Sequence, residues 1–169
     1  AHGIHVKDNV AFGHVRLSIV DLSPAGNQPS IQDDTVLVFN GEIYNYLDLS
    51  IEYGLSESSD TKVLHRLLDL LGVEKTLNKV RGMFAFIYFK EGELYCCSDF
   101  LSKKPLYYGF INGKFLASSE ISAIRSVQGK ISLDREGLIE YLNQGYISGP
   151  RSIIDGVSKL LPGELLKFN

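Results

Sequence analysis

Residues Met83–Phe89, which read MFAFIYF, decide how this chain can fold. Seven consecutive apolar residues are too few to cross a membrane, and they leave neither face of a β-strand polar. A run of this kind is typical of a central strand that is covered on both faces. Lys79, Arg81 and Lys90 bracket the run and limit its length. The sequence therefore predicts a central strand in a sheet that has packed structure on each side.

Other strand and helix patterns surround this run. Short apolar runs between turn signals predict further strands at residues 10–20, 35–39, 94–97, 106–110 and 114–117. Asn40-Gly41, after an apolar run, is itself a hairpin signal. An apolar stripe at helical spacing follows Ser59-Asp60 and stops at Gly72, which predicts a helix; shorter helices are predicted at 120–127 and 134–143. Strands in blocks with helices beside them favour an α+β fold with helices packed on the sheet.

The composition is that of one globular domain. The chain has 169 residues, of which 44% are apolar and 22% are charged, and its formal net charge is −3. No basic run is present, so the sequence offers no binding surface to a nucleic acid or an anionic membrane, and no apolar stretch is as long as a membrane span. The only cysteines, Cys96 and Cys97, are adjacent and cannot form a disulfide scaffold. We therefore expect a soluble protein of the reducing cytoplasm.

The histidines and cysteines are weak candidates for chemistry. His2 and His5 have a spacing that could hold a metal ion, but they lie at an expected loose terminus without a neighbouring Cys or carboxylate cluster, so no metal site is predicted. His65 has no visible Ser or Cys partner and is interpreted as structural. Cys96 and Cys97 lie in a predicted strand, which places them on opposite faces, one buried and one half-covered. Their charged neighbours in sequence are acidic, which does not favour a reactive thiolate.

Three segments carry residues that could act together: 13–21 (GHVRLSIVD), 39–46 (FNGEIYNY) and 59–61 (SDT). Each also has a plain structural interpretation, with Arg16 as an edge-strand charge, Asn40-Gly41 as a hairpin turn and Asp60 as a helix cap. Together the segments supply a planar cation, a side-chain amide beside a backbone N–H, and a carboxylate. Such groups could bind an α-amino acid by its charged ends while an oxyanion forms on its side chain.

The order of motifs along the chain resembles a known family. Besides the three segments, the motifs are QP at 28–29, GMFAF at 82–86, KPLYY at 104–108, ASSE at 117–120 and LLPG at 160–163. Eight motifs in this order resemble the glutaminase domain of glutamine-dependent asparagine synthetases over nearly the whole chain. Other class II amidotransferases resemble one another in having an aromatic residue after the corresponding Arg and usually His before Asn-Gly, whereas this chain has Leu17 and Phe39.

The resemblance implies a fold and a reaction. The fold would be the four-layer αββα sandwich of the N-terminal-nucleophile hydrolases, formed as a single domain by residues 1–169. In the reaction, an N-terminal Cys with its own α-amine as base would attack the side-chain carbonyl of glutamine, giving a thioester, ammonia and then glutamate. The resemblance places Arg16 on the α-carboxylate of glutamine, and Asp60 with Glu42 on its α-ammonium. It makes the Asn40 side chain and the Gly41 N–H the oxyanion hole.

The resemblance also implies partners outside this domain. The glutaminase domain itself would need no cofactor. ATP and Mg are implied for a C-terminal synthetase domain, missing beyond Asn169, which would receive ammonia through a channel and amidate aspartate. A homodimer is a further alternative for the assembly.

Some positions depart from the family pattern. No residue matches the Cys nucleophile, because the chain opens at Ala1, so the nucleophile strand is expected to be missing and the 169 residues alone are expected to be inactive. Residues 49–58 form a shorter segment than usual, Lys62 replaces the usual Glu, and SDFLS at 98–102 replaces the usual R-D-x-x-G. Two alternatives stay open: a domain whose enzyme amidates another carboxylate, such as a sugar acid, and a degenerate domain that only binds glutamine or packs on a partner.

Overall fold

A computed structural model describes residues 2–15, 26–57, 59–129 and 132–169, and these contain ten strands and five helices. The strands are β1 (His2–Lys7), β2 (Val10–Val15), β3 (Ser30–Gln32), β4 (Thr35–Ile43), β5 (Gly82–Lys90), β6 (Glu93–Ser98), β7 (Tyr107–Ile111), β8 (Lys114–Ser118), β9 (Val157–Lys159) and β10 (Leu165–Phe168). The helices are α1 (Tyr46–Glu52), α2 (Asp60–Leu71), α3 (Val73–Leu77), α4 (Ile121–Gln128) and α5 (Arg135–Gln144). None of the helices in these parts of the chain is long and apolar enough to span a bilayer.

The apolar run at Met83–Phe89 forms the middle strand of the larger sheet. This antiparallel sheet has five strands in the order β10-β6-β5-β4-β3. Phe84, Phe86 and Tyr88 face a core shared with the helices, whereas Ala85 and Phe89 face a second core on the opposite side. The prediction of a central strand that is covered on both faces is confirmed.

Helices α1 to α3 cover one face of this sheet. The apolar stripe of α2 packs there, as its spacing predicts: four of its residues are fully buried (Val63, Leu64, Leu67 and Leu68), and Leu71 is partly buried. The helix begins where the Ser59 side chain accepts a hydrogen bond from the Lys62 N–H at 3.3 Å, and it ends at Gly72, whose φ of 80° no longer fits a helix. The N-cap is therefore Ser59, and the alternative interpretation of Asp60 as a helix cap is wrong, because Asp60 is the first residue of the helix.

A second, three-stranded sheet in the order β8-β7-β9 covers the other face. Leu106 and Leu160, which flank this sheet in sequence, pack with Val36 and Cys96 of the larger sheet. Ile124 of α4 packs on the far side of the smaller sheet with residues of β7 and β9. The layers therefore follow the order helix, sheet, sheet, helix. The β1–β2 hairpin adds Phe12 to the core between the sheets.

Several local expectations are wrong. Asn40 and Gly41 form no hairpin turn: they lie inside β4 and pair with Ala85 and Phe84 of β5. The turn signal fails because the partner of β4 is a strand that follows only after three helices, and this long-range pairing overrides the local preference. His2 and His5 lie in β1, not in a loose terminus. Of the strand predicted at 10–20, β2 forms the first part, and residues 16–20 lie outside the described residues.

Candidate active site

Strand β4 places two of the predicted site residues on one face of the larger sheet. Alternate side chains of a strand point to opposite faces, so Asn40 and Glu42 share the face that is turned towards the second sheet. Asn40 is exposed and lines a cavity of about 710 Å³. The cavity is bounded by the β1–β2 hairpin, by Ala85 of β5 and by residues 117–120. The side-chain amide of Asn40 is therefore available to a small molecule in this space.

The backbone of β4 presents a donor beside that amide. The N–H of Phe39 donates to Gln28 Oε1 at 2.6 Å, and the N–H of Ile43 donates to Asp60 Oδ2 at 3.2 Å. Every second residue of an antiparallel strand directs its main-chain groups to the same side, so the N–H of Gly41 points to this same edge. Among the described residues, none accepts a hydrogen bond from it. Asn40 and Gly41 thus offer two neighbouring donors.

Gly41 is required at this position by its close approach to β5. Its φ is 146°, and a Cβ atom on it would overlap the main-chain oxygen of Met83. Only a glycine allows this conformation together with this approach. The close pairing with β5 at this position therefore depends on glycine.

Asp60 lies buried at the end of β4 that carries Glu42. Its Oδ1 accepts from the Thr61 N–H at 2.7 Å, and its Oδ2 accepts from the Ile43 N–H. A carboxylate has about four acceptor positions, so these bonds leave it further capacity. Glu42 is half-buried and has no ion-pair partner in the described parts of the chain. The structure therefore brings Asn40, Gly41, Glu42 and Asp60 to one end of β4, whereas Arg16 lies outside the described residues.

His65 has polar partners that its isolated position in the sequence did not reveal. Ser30 Oγ lies 2.9 Å from Nδ1 and Thr35 Oγ1 lies 2.9 Å from Nε2. Thr35 donates its hydroxyl hydrogen to the Gln32 carbonyl, so it accepts from Nε2–H, and Nδ1 accepts from Ser30. Burial lowers the pKa of His65 to about 4, and Arg66 adds to this against the opposing effect of Asp69. The side chain is fully buried, so this neutral His is structural, as predicted.

The two cysteines are unsuited to nucleophilic chemistry. Cys97 packs in the core with the helices and Cys96 in the core between the sheets, so they do face opposite sides. Both are buried, and the prediction that one is half-covered is wrong because the second sheet covers that face too. Burial raises the pKa of each thiol to about 12. Within the described ranges, no group of three His, Cys, Asp or Glu residues could hold a metal ion.

Two site-forming residues were not found from the sequence. Gln28 appears in the sequence analysis only as part of the QP motif, and Asp99 only within the SDFLS segment and among the acidic neighbours of the cysteines. The structure places Gln28 against Phe39, next to Asn40, and Asp99 against Phe84, which is the strand partner of Gly41. Their role depends on where β3 and β6 end, and no motif encodes these two end points.

Two sheets packed between helical layers, with polar donors on a strand that faces a cavity, define the N-terminal-nucleophile hydrolase fold as it occurs in glutamine amidotransferases. The chain is similar in structure to glutamine phosphoribosylpyrophosphate amidotransferase from Bacillus subtilis in complex with ADP and GMP, with a TM-score of 0.60 and 26% identity. The match covers 69% of this chain and 29% of that chain. In sequence, residues 1–169 match the glutamine amidotransferase domain family, and the chain belongs to this family.

Two sequence relatives are named as glutamine-hydrolysing asparagine synthetases. The chain is 36% identical to glutamine-hydrolysing asparagine synthetase 1 of Bacillus subtilis over 169 residues, which covers 95% of this chain and 27% of that protein. It is 33% identical to putative glutamine-hydrolysing asparagine synthetase 2 of Methanocaldococcus jannaschii over 184 residues, covering 95% of this chain and 36% of that protein. The chain thus spans about a quarter to a third of the length of these relatives.

Proposed function

We propose that this chain is the ammonia-supplying domain of a glutamine-hydrolysing asparagine synthetase. The observation that carries the proposal is the N–H of Gly41, for which the described residues supply no acceptor, next to the exposed amide of Asn40, both held on a strand beside a cavity. Paired donors in this arrangement stabilise the oxyanion of an acyl-transfer reaction. Membership of the glutamine amidotransferase domain family supports glutamine as the substrate.

The proposed reaction runs through a thioester. A cysteine thiolate attacks the side-chain carbonyl carbon of glutamine, and the carbonyl oxygen becomes an oxyanion that accepts hydrogen bonds from Asn40 Nδ2 and the Gly41 N–H. The C–N bond then breaks, and the nitrogen takes up a proton and leaves as ammonia. Water attacks the thioester, releasing glutamate and the thiolate. Since Cys96 and Cys97 are buried with raised pKa values, the proposal assigns the thiolate to a cysteine outside these 169 residues.

The charged ends of glutamine would be bound at the two sides of this donor pair. Asp60 and Glu42 would accept from the α-ammonium, and this is supported by their shared position at the end of β4 and by the acceptor capacity left on Asp60. Arg16 would bind the α-carboxylate with two parallel hydrogen bonds. The domain itself would need no cofactor for these steps.

We propose that the rest of the protein uses this ammonia to make asparagine, which is supported by relatives that are named asparagine synthetases. Ammonia would pass through a channel to a separate domain that uses ATP and Mg to amidate aspartate, in a cytoplasmic enzyme that could be a homodimer. The test is to supply the full-length protein with glutamine that carries ¹⁵N in its side-chain amide, together with ATP, Mg and aspartate. We expect ¹⁵N-asparagine and glutamate. Glutamate without ¹⁵N-asparagine would point to another acceptor, such as a sugar acid, and no glutamate would point to a degenerate domain.

A further inference from the structure

Among the described residues, no strand neighbour pairs with the edge of β4 beside the two donors. The pairing of β3 with β4 ends at Ser30 and Leu37, two residues before Phe39. At Phe39 the Gln28 side chain replaces the missing strand: its Oε1 accepts from the Phe39 N–H at 2.6 Å, and its Nε2 donates to the Phe39 carbonyl at 2.9 Å. Gln28 is buried, so these two bonds are not exchanged for bonds to bulk water. The main chain of Phe39 is thus fixed by a side chain.

On the other side of β4, a side chain also takes the place of a main-chain partner of β5. The pairing of β6 with β5 ends at Ser98 and Ala85. At the next position the Asp99 N–H donates to the Phe84 carbonyl at 2.8 Å, but the Phe84 N–H donates to Asp99 Oδ2 at 3.0 Å instead of to a main-chain carbonyl. The Asp99 carbonyl has turned away and accepts from the N–H groups of Ser102 and Gly163. Asp99 is buried, and its carboxylate also accepts from the N–H groups of Leu101 and Lys103.

The two replaced positions flank the proposed oxyanion donors. Phe39 directly precedes Asn40, and Phe84 is the β5 partner of Gly41. If β3 continued in its register, the main chain of residue 26 would lie opposite Gly41 and could accept its N–H. The Gln28 side chain replaces a strand neighbour only at Phe39, and in the described part of the chain nothing replaces it at Gly41.

We propose that Gln28 and Asp99 are positioning residues for glutamine hydrolysis, which orient the Asn40 amide and the Gly41 N–H by fixing the peptides beside them. The inference rests on the proposed function, because it assigns a catalytic consequence to the two donors. Both side chains are buried, and neither lines the cavity beside Asn40. Loss of either should let the Asn40–Gly41 peptide rotate away from the position of the oxyanion while the groups that bind the charged ends of glutamine stay in place.

The test compares Gln28→Ala in the full-length protein with Thr76→Val. Thr76 is a matched control because it is also buried, and its Oγ1 also forms two bonds to the main chain, to the carbonyls of Leu67 and Gly72, but it lies in α3. Both variants are expected to lower the Tm. Only Gln28→Ala is expected to lower kcat, by about tenfold to a hundredfold, with the KM for glutamine within twofold.

Hydrogen–deuterium exchange separates this inference from the proposed function. Peptides that cover 36–44 should exchange faster in Gln28→Ala and in Asp99→Asn than in Thr76→Val, whether or not the protein hydrolyses glutamine. A parent protein that releases glutamate, with equal kcat in Gln28→Ala and Thr76→Val, overturns the positioning role and leaves the proposed function standing. A parent that releases none overturns the proposed function, and unchanged exchange at 36–44 overturns the positioning role by itself. If Asp99→Asn does not fold, Gln28→Glu, which keeps only the acceptor, takes its place.

Discussion

At the Thr35 end of β4, both ring nitrogens of His65 are paired, Nδ1 with Ser30 and Nε2 with Thr35, and the Thr35 hydroxyl donates to the Gln32 carbonyl. At the other end of the same strand, the Asn40 amide is exposed and the Gly41 N–H has no acceptor among the described residues. Both ends contain polar residues on one strand of one sheet. The difference is hydrogen-bond saturation, which distinguishes a structural network from groups that are kept available to a ligand.

The largest effect should come from removing the exposed amide. In the full-length protein, Asn40→Ala should lower kcat for glutamine hydrolysis by about 10²–10³, or about 3–4 kcal/mol, with little change in KM, because the donor acts on the oxyanion and not on bound glutamine. The Tm should stay close to that of the parent, since Asn40 is exposed. Asn78→Ala, which removes another exposed amide in the C-cap of α3, is the control. A raised KM with an unchanged kcat would make Asn40 a binding residue.

Gly41→Ala should have the next largest effect, and this effect is on folding. The Cβ atom of the alanine would overlap the Met83 oxygen, and the alanine backbone would have to adopt a φ of 146°. We therefore expect a loss of about 3 kcal/mol in the free energy of unfolding. Gly54→Ala is the matched control, because Gly54 also has a positive φ, of 62°, but its Cβ would meet no atom within 4 Å. We expect about 1 kcal/mol there, measured by urea unfolding. Equal losses would show that the close approach to β5 is not what requires glycine.

The difference between local patterns and long-range pairing explains which elements could be predicted from the sequence. The central strand and α2 follow from patterns of apolar residues that are local and repeated, and the strand Thr35–Phe39 was found for the same reason. The continuation of β4 through Asn40-Gly41 was missed, because it depends on pairing with the distant β5. The short elements β3, α3 and β9 have too few residues for any period to be visible.

For the proposed site, the sequence predicts the residues but not the geometry that supports them. Asn40, Gly41, Glu42 and Asp60 came from motifs, and the structure places them at one end of β4. The plain alternative for Asn40-Gly41, a hairpin turn, was wrong. Gln28 and Asp99 could not be recognised, because a side chain that replaces a strand neighbour is defined by where two strands end in space.

The saturated end of β4 should be sensitive to acid. The folded pKa of His65 lies at about 4, below the unfolded value of 6.5, so the unfolded state binds more protons between these values and the folded state loses stability as the pH falls. Between pH 7 and pH 5 we expect a loss of about 2 kcal/mol from this group. His65→Gln should be less stable at pH 7 and should show a smaller loss on acidification in urea unfolding. The same pH dependence in both proteins would remove His65 as its source.

The smallest effect is expected at Cys96, which also lies in a closed environment. Its thiol is buried between the sheets, and burial raises its pKa to about 12, so it contributes no thiolate at neutral pH. Cys96→Ala in the full-length protein should therefore leave kcat for glutamine hydrolysis within about twofold, with a loss of about 1 kcal/mol in the free energy of unfolding for the deleted sulfur. The measurement is glutamate release from glutamine alongside the unfolding curve. A loss of glutamate release without a loss of stability would return Cys96 to the list of candidate nucleophiles and would break the distinction between the open and the saturated parts of this sheet.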